Sequence, residues 1–237
     1  MTDDPAVDDL AARLVAGRAD ASPWLVGLAG AVSVGKTTLA GQLVERWAAM
    51  GLSATVVTTD HFLLPNVALA DRGLSMRKGF PETFDLDALA WALKTLKAGE
   101  RVATSRYSHL VYDIVEGDEL VVVPADVVLV EGVVALQPPP VDHLDTTVYL
   151  DAAEPDVVGW YVDRFERLCA EATGEPESFY APFAALTEAE RDALARGTWD
   201  AINAPNLHEH IEATRQRASF VVHKGADHRI VHITSPA

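Results

Sequence analysis

The chain is poor in cysteine, in positive charge and in long apolar runs, and each shortage narrows what it can be. Its one cysteine, Cys169, has no partner for an internal disulfide, and no second cysteine or histidine cluster stands near it. It reads as a small buried apolar residue in a reducing compartment. Lys and Arg number 19 against 35 Asp and Glu, a formal net charge of -16, so the overall field repels nucleic acid and anionic lipid. No apolar run approaches the roughly 20 residues that span a bilayer, and Met1 to Leu10 is acidic where a secretory leader is basic. A cytoplasmic protein is expected. No internal repeat or low-complexity linker divides the 237 residues, and a 49% hydrophobic composition can fill one sizeable core. His208-Glu209-His210 places two histidines too close for one helix face to chelate an ion.

What is present is a rhythm of strands and helices. Within a short N-terminal segment, 1–22, positions 7–17 carry apolar residues at helical spacing and stop at Gly17. Trp24 to Leu28 is a short apolar strand, Lys36 to Ala49 has helical periodicity, and Ser53 to Thr58 is β-branched and ends before Asp60. That is a βαβ unit with parallel pairing and a right-handed crossover. Positions 61–82 read as an irregular loop whose Arg72, Arg77 and Lys78 favour function. Asp85 to Leu96 reads as a helix. Tyr107 to Val123 reads as two strands turning at Glu116-Gly117-Asp118, and Asp126 to Val130 as a strand buried on both faces. Thr146 to Leu150, Ala218 to His223 and Arg229 to Ile233 are further strands, with helices at Pro155 to Ala170 and Thr187 to Ile202. The expected fold is α/β and P-loop NTPase-like: one domain over 1–237, a mostly parallel sheet flanked by helices, and a lid at about 160–185.

Gly30-Ala31-Val32-Ser33-Val34-Gly35-Lys36-Thr37, followed by Thr38, fits G-x-x-x-x-G-K-[ST] in full, after a strand and at the start of a helix. The glycines let backbone N–H groups curl around phosphate oxygens. The helix dipole adds positive potential, Lys36 reaches the outer phosphates, and Thr37 can ligate Mg²⁺. Asp60 and Glu131 each follow an apolar strand at the sheet edge where such folds place ligands. Asp60 suits the base that prepares an acceptor hydroxyl and Glu131 a Mg²⁺ ligand; the alternative is that each caps the next segment. Arg164, within Trp160 to Phe165, is either a lid arginine that offsets charge on a transferring phosphate or one half of a salt bridge on a helix face. Tyr107-Ser108-His109 with Tyr112-Asp113 either line a pocket or face solvent in alternation.

Taken in order, these motifs resemble the bacterial type I pantothenate kinases of the phosphoribulokinase and uridine kinase group. The matching stretches are Gly27 to Thr38, Thr58-Thr59-Asp60, Arg72-Gly73-Leu74, Lys78 to Glu82, Tyr107 to Leu110, Tyr112-Asp113 and Leu129 to Gly132. Trp160-Tyr161, Arg164-Phe165, Trp199, Ile202-Asn203, Thr214-Arg215 and Arg217-Ala218-Ser219 continue the series. The resemblance implies phosphorylation of a primary hydroxyl of pantothenate by ATP with Mg²⁺, Asp60 as base, Lys36 on the phosphates and Arg164 at the transferring group. It also implies that Tyr107, His109, Tyr161 and Asn203 contact pantothenate or competing coenzyme A, that Phe179, Tyr180 and Phe183 shape the far pocket, and that a homodimer forms. Three positions depart from the family: fewer helical turns precede Trp24, His61 replaces a usual glycine, and Leu168 stands where an aromatic residue is common. A related kinase acting on a nucleoside, a sugar or another specialised metabolite is the alternative, and a nucleotide-dependent switch is a further one. Against the switch, the chain has no Asn-Lys-x-Asp guanine-reading motif.

Overall fold

The computed structural model describes residues 4–18 and 22–235, so the N-terminal segment expected over 1–22 is seen in part, with 1–3 and 19–21 outside the described residues. Strand β1 (Trp24–Gly30) lies at the heart of a six-stranded sheet with β2 (Ala54–Thr58), β5 (Val127–Glu131), β6 (Thr146–Ala152), β7 (Phe220–Lys224) and β8 (Ile230–Thr234). Their spatial order is β2-β5-β1-β6-β7-β8, every neighbouring pair parallel except β7 with β8. β5 sits between β2 and β1, which is why its apolar run is unbroken: Val127 to Val130 are all fully buried.

Helices α1 (Pro5–Val15), α2 (Lys36–Ala49), α3 (Asn66–Asp71) and α4 (Leu86–Lys97) belong to the first half of the chain. α1 starts where it does because Asp4 accepts from Ala6 N–H at 3.0 Å and Pro5 fills the first helical position. Its stripe Val7, Leu10, Ala11 and Leu14 is buried beside the α2 stripe Leu39, Leu43 and Trp47, and Trp47 Nε1 donates to Ala11 O at 3.0 Å. The second half holds α5 (Glu154–Glu171), α6 (Ala181–Ala184) and α7 (Glu188–Thr198), the last opened by a Thr187–Glu190 capping box.

The structure departs from the sequence reading in three places. β3 (Val102–Ser108) and β4 (Asp113–Val122) form a separate antiparallel pair that turns at 109–112, not at Gly117. Glu116, Gly117 and Asp118 instead form a bulge, since the register jumps from Ser105↔Glu119 to Arg106↔Val115; Gly117 has φ +76° and Asp118 pairs with Arg106 at 2.7 Å. Turn chemistry alone does not distinguish the two. Second, 61–82 is not irregular throughout, because it contains α3 and short 3-10 turns. Third, the helix expected to end at Ile202 runs on to Arg217. It does so through a π turn (Trp199–Asn203), a short α turn (Ala204–Asn206), a second π turn (Leu207–Ile211) and a 3-10 turn (Glu212–Arg217).

Parallel register carries the strand ends to one edge. Glu131 lies level with Leu28 of β1 and with Thr58 of β2, so the loop after β1, the turn after β2 and the end of β5 meet. Gly132 makes the closest approach possible: a Cβ there would fall 1.8 Å from Thr59 Oγ1, at φ +152°. Gly132→Ala is therefore expected to push Thr59, and Asp60 with it, out of place and to cost about 1–3 kcal/mol in urea unfolding. Gly41→Ala, on α2 with nothing within 4 Å of the added methyl, is expected to stabilise by about 0.4–1 kcal/mol in the same measurement.

Candidate active site

The loop Gly30 to Lys36 departs from β1 in backbone conformations suited to a cradle. Gly30 (φ +151°) passes so close to β6 that a Cβ would sit 2.3 Å from Leu150 O, and Ser33 (φ 62°) and Gly35 (φ 96°) turn the chain into α2. α2 has no side-chain cap on its first N–H groups and no acid in its first turn. Such an end, with its unpaired donors and positive dipole, is made for an anion. Lys36 is buried and donates to Gly30 O at 3.1 Å and Ala31 O at 2.8 Å. Burial pushes its ammonium down to about 8, against the pull of Glu131 and Asp60, while Arg164 adds like charge.

Glu131 ends β5, is buried, and accepts from Thr37 Oγ1 at 3.1 Å. Burial raises its pKa and Asp60 adds to that, while Lys36, the Thr37 hydroxyl and Arg164 oppose it. Two oxygen donors side by side below the loop fit a hard divalent cation that keeps most of its waters. Asp60 sits in the first turn of the 3-10 segment Thr59–Phe62, and no group among the described residues donates to its carboxylate. Its charge is nonetheless felt by Lys36, Glu131, Lys78, His61, Tyr107, His109 and Tyr112, which makes it the centre of the site.

Arg164, on α5, makes no ion pair among the described residues, and its charge acts on Lys36, Glu131, His109, Tyr112, Tyr161 and Tyr180. Tyr161 packs on Trp199 with centroids 5.7 Å apart, and burial raises its pKa while Asn203 and Arg164 oppose the rise. The β3–β4 turn supplies an aromatic wall: Tyr107 meets His109 (5.1 Å) and Tyr112 (6.3 Å), and Tyr112 stacks on Phe179 at 4.5 Å. Phe179 N–H donates to Leu110 O at 2.7 Å, tying the 178–184 segment to that turn. Phe165 then gathers Tyr180 (6.1 Å) and Phe183 (5.7 Å) behind it. Tyr107, Tyr112, His109 and Phe179 thus touch in one aromatic cluster, in which Tyr107 and Tyr112 are half-buried while His109 and Phe179 keep an exposed face. Tyr112 holds a left-handed φ of 54°, a strain that a plain hairpin would avoid. The charges of Asp60 and Arg164 both act on Lys36 and on Glu131, whereas Phe183 meets only Phe165 and Phe179 among the described aromatic residues.

Of two further lysines at the site, the sequence singled out Lys78 only as one of three basic loop residues, and Lys224 not at all. Lys78 Nζ donates to Asn66 Oδ1 (2.6 Å) and Tyr112 O (2.5 Å), lies 4.3 Å from the Tyr112 ring centroid and 5.2 Å from that of Tyr107, and senses Asp113 and Asp60. Of the loop's three basic residues it is the one that enters the site, since Arg77 pairs with Glu82 and covers Phe80. Lys224, from β7, donates to Val34 O at 2.8 Å and lies over Trp160, itself stacked on His228 at 4.1 Å. Only its distance in sequence hid it. His61, beside Asp60, keeps Nδ1 buried without a partner, and burial lowers its pKa, so it stands as a neutral ring that adds no charge to the base. Cys169 is buried, as its sequence setting suggested. His208 bonds Glu154 at 3.1 Å, and no group of metal-ligating residues occurs among the described residues. A surface groove of about 690 Å³ beside Arg215, Val221 and Thr234 shares no residue with this site.

A sequence profile of the Phosphoribulokinase / Uridine kinase family matches residues 25–164. The pantothenate kinase of Leifsonia xyli subsp. xyli is 45% identical over 224 residues, covering 90% of this chain and 69% of that one. That of Listeria innocua is 40% identical over 222 residues, 90% and 72% of the two chains. Among solved structures, a kinase of Silicibacter sp. TM1040 named for a fructose transport system aligns with a TM-score of 0.69 and 27% identity, over 87% of this chain and 94% of that one. The D-glycerate 3-kinase of Cryptococcus neoformans var. grubii shares the fold at a TM-score of 0.62 and 16% identity, over 97% and 96%.

The depressed Lys36 pKa has a calorimetric consequence. A polyphosphate on the loop favours the ammonium, so binding must return the proton that burial had displaced. With a free pKa of about 8, binding of ATP is expected to take up roughly half a proton at pH 8 and almost none at pH 6.5. Titration calorimetry in buffers of different ionisation enthalpy reads this directly; uptake that is the same at both values would contradict it.

Proposed function

Because the chain belongs to the Phosphoribulokinase / Uridine kinase family and groups within it with the bacterial pantothenate kinases, we propose that it transfers the γ-phosphoryl group of ATP to the primary hydroxyl of pantothenate, giving 4'-phosphopantothenate for coenzyme A synthesis. The observation that carries this reading is the Asp60 carboxylate, which no group among the described residues pairs with and whose charge acts both on Lys36 of the phosphate loop and on Tyr107 and Tyr112 of the aromatic cluster. Asp60 takes the proton of the hydroxyl as its oxygen attacks the γ-phosphorus, and the bond to the β-phosphate oxygen breaks with ADP leaving. The loop from Gly30 to Thr38, with the first N–H groups of α2, holds the phosphates. Lys36 exchanges the Gly30 and Ala31 carbonyls for phosphate oxygens. Arg164 offsets charge on the transferring group as the lid, about 160–185, closes over a single kinase domain. Thr37 and Glu131 would hold the Mg²⁺ that accompanies the nucleotide, and the ion would supply charge neutralisation to the phosphate oxygens.

Tyr107, His109, Tyr161 and Asn203 orient the acceptor near its reacting end, and Phe179, Tyr180 and Phe183 enclose the far end. Coenzyme A carries the same pantetheine skeleton, so it is expected to compete for this wall. The reading includes a cytoplasmic setting, a homodimer, and no nucleic-acid or membrane partner. In its support, the net charge of -16 repels nucleic acid and anionic lipid.

The test is a coupled ADP-release assay with Mg·ATP and an acceptor panel of pantothenate, uridine, cytidine and simple sugars. Turnover with pantothenate is expected, and Asp60→Asn is expected to lower kcat about 10²–10⁴-fold with little change in KM for ATP. Turnover with another acceptor alone would discard pantothenate, and none with any acceptor would discard the kinase reading. Glu131→Gln is expected to raise the Mg²⁺ concentration needed for half-maximal rate by about tenfold, read in the same assay.

A further inference from the structure

Asn206 is 7% exposed, yet its amide uses only part of its bonding capacity: Nδ2 donates to Gly79 O at 2.8 Å, and Oδ1 is buried with no partner. A buried amide left half satisfied does little for stability compared with an apolar residue of its shape. What it does give is direction, because a carbonyl accepts only from a donor at the right place and the amide orientation is thereby set.

The residue it directs is Gly79. Gly79 has φ +98°, its N–H donates to Thr83 Oγ1 at 3.1 Å, and Thr83 in turn donates to Phe80 O at 2.7 Å. Both polar groups of the Gly79 backbone are thus pinned, one by Thr83 and the other by Asn206. Phe80 is buried against the edge of His210 at 5.6 Å. Lys78 immediately precedes this clamp and carries its ammonium to Tyr112 O and the Tyr107 and Tyr112 rings, within reach of the Asp60 charge. Asn206 and His210 lie one turn apart at i and i+4, and their partners are the adjacent residues Gly79 and Phe80. The 199–217 segment therefore touches both the helix that carries Arg164, through Trp199 against Tyr161, and the loop that carries Lys78, through Asn206 and His210.

We propose that Asn206 is a positioning residue for the transfer reaction: by holding Gly79 it sets the Lys78 ammonium against Asp60 and the acceptor wall. This rests on the kinase reading above. The experiment is a double-mutant cycle of Asn206→Leu with Lys78→Met, measured as kcat/KM for pantothenate, KM for ATP and thermal midpoint. Asn206→Leu is expected to lower kcat/KM for the acceptor about 10- to 100-fold and to leave KM for ATP within about twofold. In the Lys78→Met background it is expected to have almost no further effect, since the group it positions is gone. Effects that multiply, or an equal change in KM for ATP, would overturn the proposal and leave Asn206 a packing residue. If Asn206→Leu fails to fold, Asn206→Ser is read by the same cycle. Absence of pantothenate turnover in the unmodified protein would instead sink the acceptor reading; the cycle is then run with whichever panel acceptor is turned over.

Discussion

A buried ammonium must have anions near it, and the placement of Lys36 organises this molecule. Its side chain is enclosed at the edge of the sheet, where water cannot stabilise its charge, so the protein places Glu131 and Asp60 around it and two loop carbonyls on its protons. The parallel register of β1, β5 and β2 delivers those acids, and Gly132 admits the Asp60 turn to contact with the end of β5. The two acids then differ in their surroundings. Glu131, buried and bonded by Thr37, is fixed in place. Asp60 has no donor on its carboxylate among the described residues.

The same arrangement reconciles an acidic protein with anionic substrates. A net charge of -16 repels phosphate at a distance, but screening shortens that field to about 8–10 Å in physiological salt. Within that range the site presents Lys36, Arg164 and Lys78, with the uncapped start of α2 behind them. Lys224, fastened to Val34 O, keeps the loop in shape from the far side. Local geometry therefore outweighs global charge.

The sequence disclosed the parts whose chemistry is local. The phosphate loop was legible because its glycines, lysine and threonine act within one turn of chain and need only a strand before and a helix after. Asp60 and Glu131 were legible from their position at strand ends. Gly117 was misplaced because the same glycine chemistry serves a turn and a bulge, and only pairing across β3 and β4 decides between them. The helix from Trp199 to Arg217 looked shorter than it is because Pro205 breaks a regular α pattern, whereas π turns carry the chain through. Arg164 is open to two roles in the sequence, and the fold gives it no carboxylate partner among the described residues.

Composition and motif by themselves determined the class: an α/β protein, poor in cysteine and positive charge, with a complete phosphate-binding loop and two acids at strand ends. These follow from contacts between residues close in the chain, or from strand ends that any parallel sheet brings together. Only the tertiary structure decided how the wall of Tyr107, Tyr112 and Phe179 closes, that Lys78 and not Arg77 enters the site, that Lys224 reaches the loop 190 residues earlier, and that Asn206 holds Gly79 across 127 residues. Such contacts arise from the folding of distant segments onto one sheet edge, and no spacing along the chain encodes them.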